Sequence, residues 1–217
     1  MIENIRVTIN GQEKDFGSDF DASVEFIVSA LKEKAEAANK RIAVKDLKAG
    51  DRFVYGGIAW VKLDDAHGGA LVLAVNKQAD SSFDKNESNN WATSSLRKDL
   101  NAYKNGHFTA VFLKDVNKAD LIEFERDLTT DDGMTEYGTC KDFVSLYTCN
   151  EYRKYRKLIP DCGVWHWTIT GDSLVYSRHV RNVSSDGGLS SSNAYFGSGG
   201  VRPLCVLKSD TPVDLEQ

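Results

Sequence analysis

Beyond Arg41 the sequence consists of short apolar runs separated by glycine, and this pattern limits the fold more than any other feature. The runs include RFVYGGIAWVKL and GALVLAVN, which are rich in β-branched and aromatic residues. Gly50, Gly56-Gly57 and Gly68-Gly69 interrupt them. β-Branched and aromatic residues favour strands, and glycines between such runs indicate turns. The pattern predicts a sheet of short strands.

Residues 1–40 have a different character. Ile5 to Ile9 alternates and then meets Asn10-Gly11, which is a strong signal for a two-stranded ribbon. Asp19 to Asp21 provides a cap for the stretch VEFIVSALKEKAEAANK, whose apolar residues recur at helical spacing. The helix either packs on its own domain or pairs with another copy of the chain. We therefore expect residues 1–40 to be a docking or oligomerisation element, and residues 41–217 to be a separate domain.

Two further helices are predicted inside the second domain. Ser94 and Ser95 open one that runs through Leu96 and Leu100. NEYRKYRKLI fits another, with Thr148 as its cap and Pro160 just beyond its end. Together with the strands, these helices predict a mixed α+β fold with a mainly antiparallel sheet.

Composition excludes several classes of protein. The 217 residues are 41% hydrophobic, which is enough to bury a substantial core. A net charge of -5 argues against a phosphate-binding surface, so nucleic acid is not an expected partner. The N-terminus has no signal-peptide pattern and no run of about 18 apolar residues occurs. We therefore expect cytoplasmic synthesis and no membrane insertion.

The four cysteines are Cys140, Cys149, Cys162 and Cys205. No C-x-x-C pair occurs, so neither a zinc ribbon nor a thioredoxin-type motif is encoded. They are expected to be reduced and mostly buried.

One segment lacks five residue types that the rest of the chain uses freely. From Thr168 to Gly200 there is no Lys, Glu, Gln, Met or Trp. Surface turns rich in Ser, Gly and Asn exclude the same types, so a fixed surface is one explanation of the bias. Val180, Val183, Leu189 and Val201 flank the Ser/Gly-rich part, and we expect them to anchor it in a core.

Three stretches, in order, resemble a family of uncharacterised domains that is common in bacteriophages and in prophages of gut bacteria. They are GDRFVYGGIAWVKLDD at 50–65, NNWATSSLRKDLN at 89–101, and the run from EYRKYRKLIPDCGVWHWTIT to GGVRPLCVL at 151–207. Members of that family end in a tryptophan-rich strand, an S-x-G turn and G-V-R-P. The resemblance covers roughly residues 41–208.

The resemblance implies a C-type-lectin-like fold, related to formylglycine-generating enzymes and to the variable proteins of diversity-generating retroelements. It implies two helices, a twisted sheet and a long irregular C-terminal half. In the variable proteins a reverse transcriptase substitutes adenines, mostly in Asn codons, and the resulting codons end in a pyrimidine. Such codons cannot encode Lys, Glu, Gln, Met or Trp, the types missing from 168–200. The expected function is a phage or prophage binding protein with a diversified C-terminal surface.

The predicted ligand-binding residues lie in this segment, with their side chains turned outward and the four anchors turned inward. Tyr, Phe and Arg supply contact area and hydrogen bonds, while Ser and Asn adapt to a partner. The ten residues are Tyr176, Arg178, His179, Arg181, Asn182, Ser190, Ser192, Asn193, Tyr195 and Phe196. The expected ligand is a protein or glycan on a bacterial surface, and other phage structural proteins are expected partners.

Other conspicuous residues are expected to be structural. Trp165 and Trp167 share one side of a strand and are expected in the core. In the alternative, one of them forms the floor of a ligand site. His166 and His179 have no partner at metal-ligand spacing. Arg202 is expected to be buried beside an acidic partner. Asp186-Gly187 is expected to form a tight turn, because Asp tolerates the left-handed region and Gly prefers it.

An enzyme is not predicted. The cysteine surroundings do not match those of formylglycine-generating enzymes, and no nucleophile elbow, phosphate loop or H-E-x-x-H helix occurs. The E-P-N, Q-P-D and W-N-D triplets of calcium lectins are also missing. No catalytic residue, metal or cofactor is therefore assigned. Two alternatives remain open: a structural virion component without variable binding, and an enzyme related to the formylglycine-generating family.

Overall fold

The structure is a computed structural model that describes residues 4–9, 12–38 and 41–216, without the side chains of 12 and 34–38. The chain divides into two compact units, Met1–Arg41 and Ile42–Gln217. The docking or oligomerisation role expected of residues 1–40 stays a prediction.

The first unit is a ribbon with one helix. Its elements are β1 (Arg6–Ile9), β2 (Gln12–Asp15) and α1 (Phe20–Ala38). β1 and β2 pair antiparallel with Ile9 opposite Gln12, which confirms the ribbon, while the predicted turn Asn10-Gly11 lies outside the described residues. Asp19 caps α1 by accepting a hydrogen bond from the amide of Ala22 at 3.0 Å.

The second unit contains short strands and two helices. The strands are β3 (Ile42–Ala43), β4 (Arg52–Tyr55), β5 (Ile58–Ala66), β6 (Gly69–Ala74), β7 (Ala79–Ser81), β8 (Tyr103–Lys104), β9 (His107–Phe108), β10 (Leu121–Ile122), β11 (Phe124–Asp127), β12 (Thr139–Asp142), β13 (Val144–Ser145), β14 (His166–Gly171), β15 (His179–Val183), β16 (Leu189–Asn193), β17 (Gly199–Val201), β18 (Leu204–Leu207) and β19 (Pro212–Leu215). The helices are α2 (Ser95–Asn101) and α3 (Cys149–Tyr155).

Local capping signals explain where both helices begin. The side chain of Ser94 accepts a hydrogen bond from the amide of Arg97 at 3.1 Å. Thr148 and Glu151 form a reciprocal capping box at the start of α3. Both predicted helices are thus confirmed, but α3 ends at Tyr155, short of the predicted approach to Pro160.

The strands form a mixed but mostly antiparallel arrangement. A curled, half-barrel-like sheet of eight strands has the order β10-β18-β6-β5-β4-β19-β3, with β13 also paired to β18. A five-stranded sheet has the order β16-β15-β14-β17-β7. Its β14 and β17 form the one parallel pair among the described strands. The predicted α+β class with a mainly antiparallel sheet is confirmed.

The expectation of a long irregular C-terminal half is wrong. Within the described residues, six strands, from β14 to β19, lie between His166 and Leu215. The Ser- and Gly-rich composition resembles a loop, but the backbone amides and carbonyls of a buried segment need partners, and sheet pairing supplies them. Gly199 has to be glycine, because the indole of Trp167 lies where a Cβ would stand.

Two hydrophobic clusters lie on opposite faces of the central strands. In β18, Cys205 and Leu207 belong to one cluster, while Leu204 and Val206 belong to the other. Successive side chains of a strand point to opposite faces, so a strand that is buried on both sides reads as a continuous apolar run. This explains why LCVL does not alternate with polar residues.

Candidate functional site

The β15–β16 hairpin carries most of the residues predicted to bind a ligand. A tight turn at Asp186-Gly187 joins its strands, with the amide of Ser184 donating to the carbonyl of Gly188 at 2.8 Å. Gly187 has a φ of 81°, in the left-handed region that glycine tolerates. The predicted turn is therefore confirmed.

The register divides the predicted strand residues between two faces. His179 pairs with Asn193, and Asn182 pairs with Ser190. Paired residues share a face and neighbours alternate, so His179, Arg181 and Asn193 lie on one face. Asn182, Ser190 and Ser192 lie on the other. The ten predicted residues therefore do not form a single surface.

Asn182 corrects the prediction most clearly. Its side chain is 2% exposed and donates a hydrogen bond to the hydroxyl of Ser192 at 2.8 Å. A buried amide needs such a partner because desolvation without one is unfavourable. The expectation that Asn182 turns outward is wrong.

The inward anchors lie mostly as expected, although on two faces. Val180, Val183 and Val201 are buried, and Leu189 is half-buried. Val180 belongs to one hydrophobic cluster and Val183 to the other. β15 is therefore held from both sides.

Arg181 is half-buried in an ion-pair network. Its guanidinium lies 3.2 Å from a carboxylate oxygen of both Asp131 and Asp172. The Nε–H is not directed at Asp131 and makes no hydrogen bond there, so that contact is purely electrostatic. Asp131 also pairs with Arg153 at 3.0 Å. These contacts give Arg181 a structural role.

The remaining predicted residues lie in two exposed turns. Tyr176 is 65% exposed, Tyr195 is 49% exposed and Phe196 is 43% exposed. The rings of Tyr195 and Phe196 pack with centroids 4.9 Å apart. Arg178 is exposed and pairs with Glu87 at 3.1 Å. Val175, which the prediction omitted, is also exposed.

Backbone hydrogen bonds hold the two turns and a third segment side by side. The amide of Ala194 donates to the carbonyl of Arg178 at 2.8 Å. The amide of Asp84 donates to the carbonyl of Ala194 at 3.0 Å. The exposed side chains of Val175, Tyr176, Arg178, Tyr195 and Phe196 are called the aromatic turn surface below.

Asn89 fixes the conformation of the 173–179 turn from its buried side. Its buried amide nitrogen lies 2.9 Å from the carbonyls of Ser173 and His179, and 3.3 Å from that of Tyr176. Its oxygen accepts a hydrogen bond from the hydroxyl of Tyr137 at 2.6 Å. Nothing in the sequence around Asn89 indicates this role, because every partner is distant in the chain.

The tryptophans are structural. Trp167 is fully buried, and its indole nitrogen donates to the carbonyl of Ser81 at 2.9 Å. Trp165 is half-buried and packs edge-on against Trp167, with ring centroids 4.9 Å apart. The expectation of a core position is confirmed for Trp167, whereas Trp165 is only partly buried and packs against the core.

Cys162 and His166 lie close together but do not form an activated pair. The Sγ of Cys162 is 3.5 Å from Nδ1 of His166, which is also 2.9 Å from the carbonyl of Val164. A carbonyl only accepts, so Nδ1 carries the proton and cannot take one from the thiol. Burial, with the charge of Arg202, lowers the pKa of His166 to about 4.

A polar cleft of about 210 Å³ lies beside α3. Asp127, Asp131 and Arg153 line it together with the side chains of Thr148 and Thr170. Cys149 also lines it, but burial raises the pKa of its thiol, which disfavours the nucleophilic thiolate. Sequence reasoning missed this cleft because its walls come from separate elements.

Neither a metal centre nor a membrane span emerges from the described parts of the chain. No group of three or more His, Cys, Asp or Glu side chains there could hold a metal ion. None of the described helices is long and apolar enough to cross a bilayer.

Comparison with known proteins finds a similarity to one family over part of the chain. Residues 123–209 match the model of a family described as a domain of unknown function (DUF6273). The matched range includes β14 to β18 and the whole aromatic turn surface. A search of curated proteins and a search of solved structures found no significant match.

Proposed function

We propose that the second unit is a binding domain that captures its ligand through the aromatic turn surface. One observation carries the proposal. Among its described residues, this unit has eight exposed large apolar side chains, and four of them belong to this surface. The four are Val175, Tyr176, Tyr195 and Phe196. Clustered apolar exposure marks interaction sites, whereas scattered apolar residues need no explanation.

The residue types suit recognition of a protein or glycan. Tyr and Phe offer large contact areas at low entropic cost, and Arg178 adds a charged donor at the edge. The hydrogen bonds of Asn89 order the 173–179 turn before any ligand arrives. Ordering a loop in advance favours affinity because less entropy is lost on binding.

The finer assignment of the fold belongs to the same proposal. We propose a C-type-lectin-like domain, supported by the short helices α2 and α3, the mainly antiparallel sheets and the resemblance that ends in G-V-R-P. The resemblance also supports a phage or prophage origin, with a bacterial surface protein or glycan as the ligand.

Retroelement diversification is the most specific part of the proposal. The missing residue types support it, because the codons that such a mechanism writes cannot encode them. Sequencing the DNA beside the gene tests it. We expect a reverse transcriptase gene and a near-identical repeat of the segment that encodes 165–203. A flanking region without them contradicts diversification but leaves a fixed binding surface intact.

The binding function is tested with a matched pair of substitutions. Val175 and Val111 are both 78% exposed, but only Val175 lies in the aromatic turn surface. Labelled protein is incubated with a panel of bacterial strains and capture is measured by flow cytometry. We expect V175S, Y195S and F196S to reduce capture at least tenfold, and V111S to retain it. Equal capture by all four variants contradicts the proposal.

A further inference from the structure

Arg202 differs from the other buried cations of the second unit, Lys62 and Arg126, and from the half-buried Arg97 and Arg181. Lys62 pairs with Asp65 at 2.8 Å, Arg97 with Asp142 at 2.6 Å and Arg126 with Glu151 at 2.5 Å. Arg181 also has carboxylate partners. Arg202 is 1% exposed and has no carboxylate within 4.0 Å among the described residues. The acidic partner expected for Arg202 is therefore not found in the part of the chain that the structure describes.

The groups within hydrogen-bonding distance of the Arg202 guanidinium are all uncharged. Its Nε lies 3.2 Å from the carbonyl of Ala74, and its Nη2 lies 2.8 Å from that of Val75. The third nitrogen, Nη1, lies 3.5 Å from Nε2 of His166, which also receives the hydroxyl of Tyr147 in a short contact. An imidazole nitrogen has one lone pair, and the nearer hydroxyl occupies it. Nη1 therefore keeps its hydrogen-bonding capacity for another partner.

A small cavity adjoins this guanidinium. Its lining includes Arg202, Arg156, Tyr152, Gly187 and Asp161, and it encloses about 10 Å³. A space of that size holds about one water-sized guest. The cavity therefore admits a single small ion or water molecule.

Arg156 gives the cavity a second positive charge. It lies over the ring of Tyr152, 5.2 Å from the centroid, and against Gly187, where a Cβ would collide with it. It has no carboxylate within 4.0 Å among the described residues either. Asp161 is the one carboxylate among the described residues of the lining, and its Oδ1 accepts a hydrogen bond from the amide of Gly163 at 2.9 Å.

We propose that this cavity is a binding site for one small inorganic anion of the size of chloride, held between Arg156 and Arg202. A guanidinium stays charged even when it is buried, and a buried charge without a counter-ion is costly. An anion in the cavity supplies the counter-charge that carboxylates supply to the other buried cations. The site is structural, and it is independent of the aromatic turn surface.

Ion replacement in the whole chain tests the proposal. Tm is measured at constant ionic strength and pH while sodium gluconate is replaced by sodium chloride. Gluconate is too large for the cavity, so it controls for screening. We expect a saturable rise in Tm of about 2–4 °C with chloride. Identical melting curves in the two salts would overturn the proposal and identify the guest as water.

Two variants and a second probe locate the effect. R156Q should lose most of the chloride response, while R153Q on the neighbouring part of α3 should keep it. Crystals grown in sodium bromide should show anomalous bromide density between Arg156 and Arg202. A cavity without that density at saturating bromide, or a full chloride response in R156Q, contradicts the site. The bromide experiment does not depend on the folding of any variant.

Discussion

The strands and the turns of residues 168–200 differ in whether their side chains are buried or exposed. In the strands, Asn182 and Thr168 are buried and their side chains satisfy partners inside the sheet, with Thr168 donating to the carbonyl of Arg181 at 2.8 Å. In the turns, Tyr176 and Tyr195 are exposed. A biased composition therefore does not by itself define a surface. Backbone pairing decides which positions are free to contact a ligand.

The largest effect is expected in the strand region. W167A removes a fully buried indole, its packing against Trp165 and its hydrogen bond to Ser81. Replacing a buried aromatic residue by Ala typically costs about 3–5 kcal/mol, through lost burial and the cavity left behind. Urea denaturation followed by circular dichroism measures the change. A cost below about 1 kcal/mol would show that β14 is not the core of this region.

Lowering the pH should destabilise the strand region through protonation of His166. The pKa of His166 is about 4 in the folded chain against an ordinary 6.5, because the ring is buried and lies beside Arg202. The unfolded chain therefore binds the proton first as the pH falls. The stability that neutral His166 confers is complete above pH 6.5 and is lost toward pH 4, by roughly 3 kcal/mol.

The measurement is the free energy of unfolding at several pH values between 7 and 4. We expect H166Q to be less stable at pH 7 but to lose less stability as the pH falls. H107Q removes an exposed histidine and serves as the control. An unchanged slope in H166Q would contradict the assigned environment.

Asn89 connects the two regions, so its loss should affect both. N89A removes the donor to the carbonyls of Ser173, Tyr176 and His179. The carbonyls of Tyr176 and His179 also accept hydrogen bonds from the amides of His179 and Asp172, respectively. Chiefly the carbonyl of Ser173 therefore loses its hydrogen-bond donor. We expect a loss of about 2 kcal/mol. Hydrogen exchange should also accelerate in residues 173–179. Unchanged protection there would contradict the claim that Asn89 fixes the conformation of this turn.

The smallest effect on stability is expected in the turns themselves. Y195S and F196S alter exposed rings that contact each other. Surface changes usually cost within about 0.5 kcal/mol, so Tm should hardly move while capture of bacterial cells falls. Loss of the fold in either variant would show that these rings belong to the core.

Local signals in the sequence predicted the parts of the fold that depend on neighbouring residues. The caps at Ser94 and Thr148 and the turn at Asp186-Gly187 each act within a few residues, so composition and spacing reveal them. The parallel pairing of β14 with β17 joins residues that are distant in the chain. No local pattern reports such a partner.

The candidate site was predictable only in its exposed half. Tyr176, Tyr195 and Phe196 lie in turns, where exposure follows from local sequence. Asn182 and Arg181 were misjudged because their surroundings come from β16 and from the loop that carries Asp131. The missing counter-ion of Arg202 could not be predicted either, since its position in the core depends on strands from both sheets.

A mutational scan of residues 168–200 by surface display tests the central claim most directly. Each variant is scored for protease-resistant display, which reports folding, and for capture by the bacterial strain that binds the parent chain. We expect substitutions at Val175, Tyr176, Tyr195 and Phe196 to preserve display and reduce capture, while those at Val180 and other buried strand positions abolish display. Turn variants that lose display, or that keep full capture, would contradict a ligand-binding role for the aromatic turn surface.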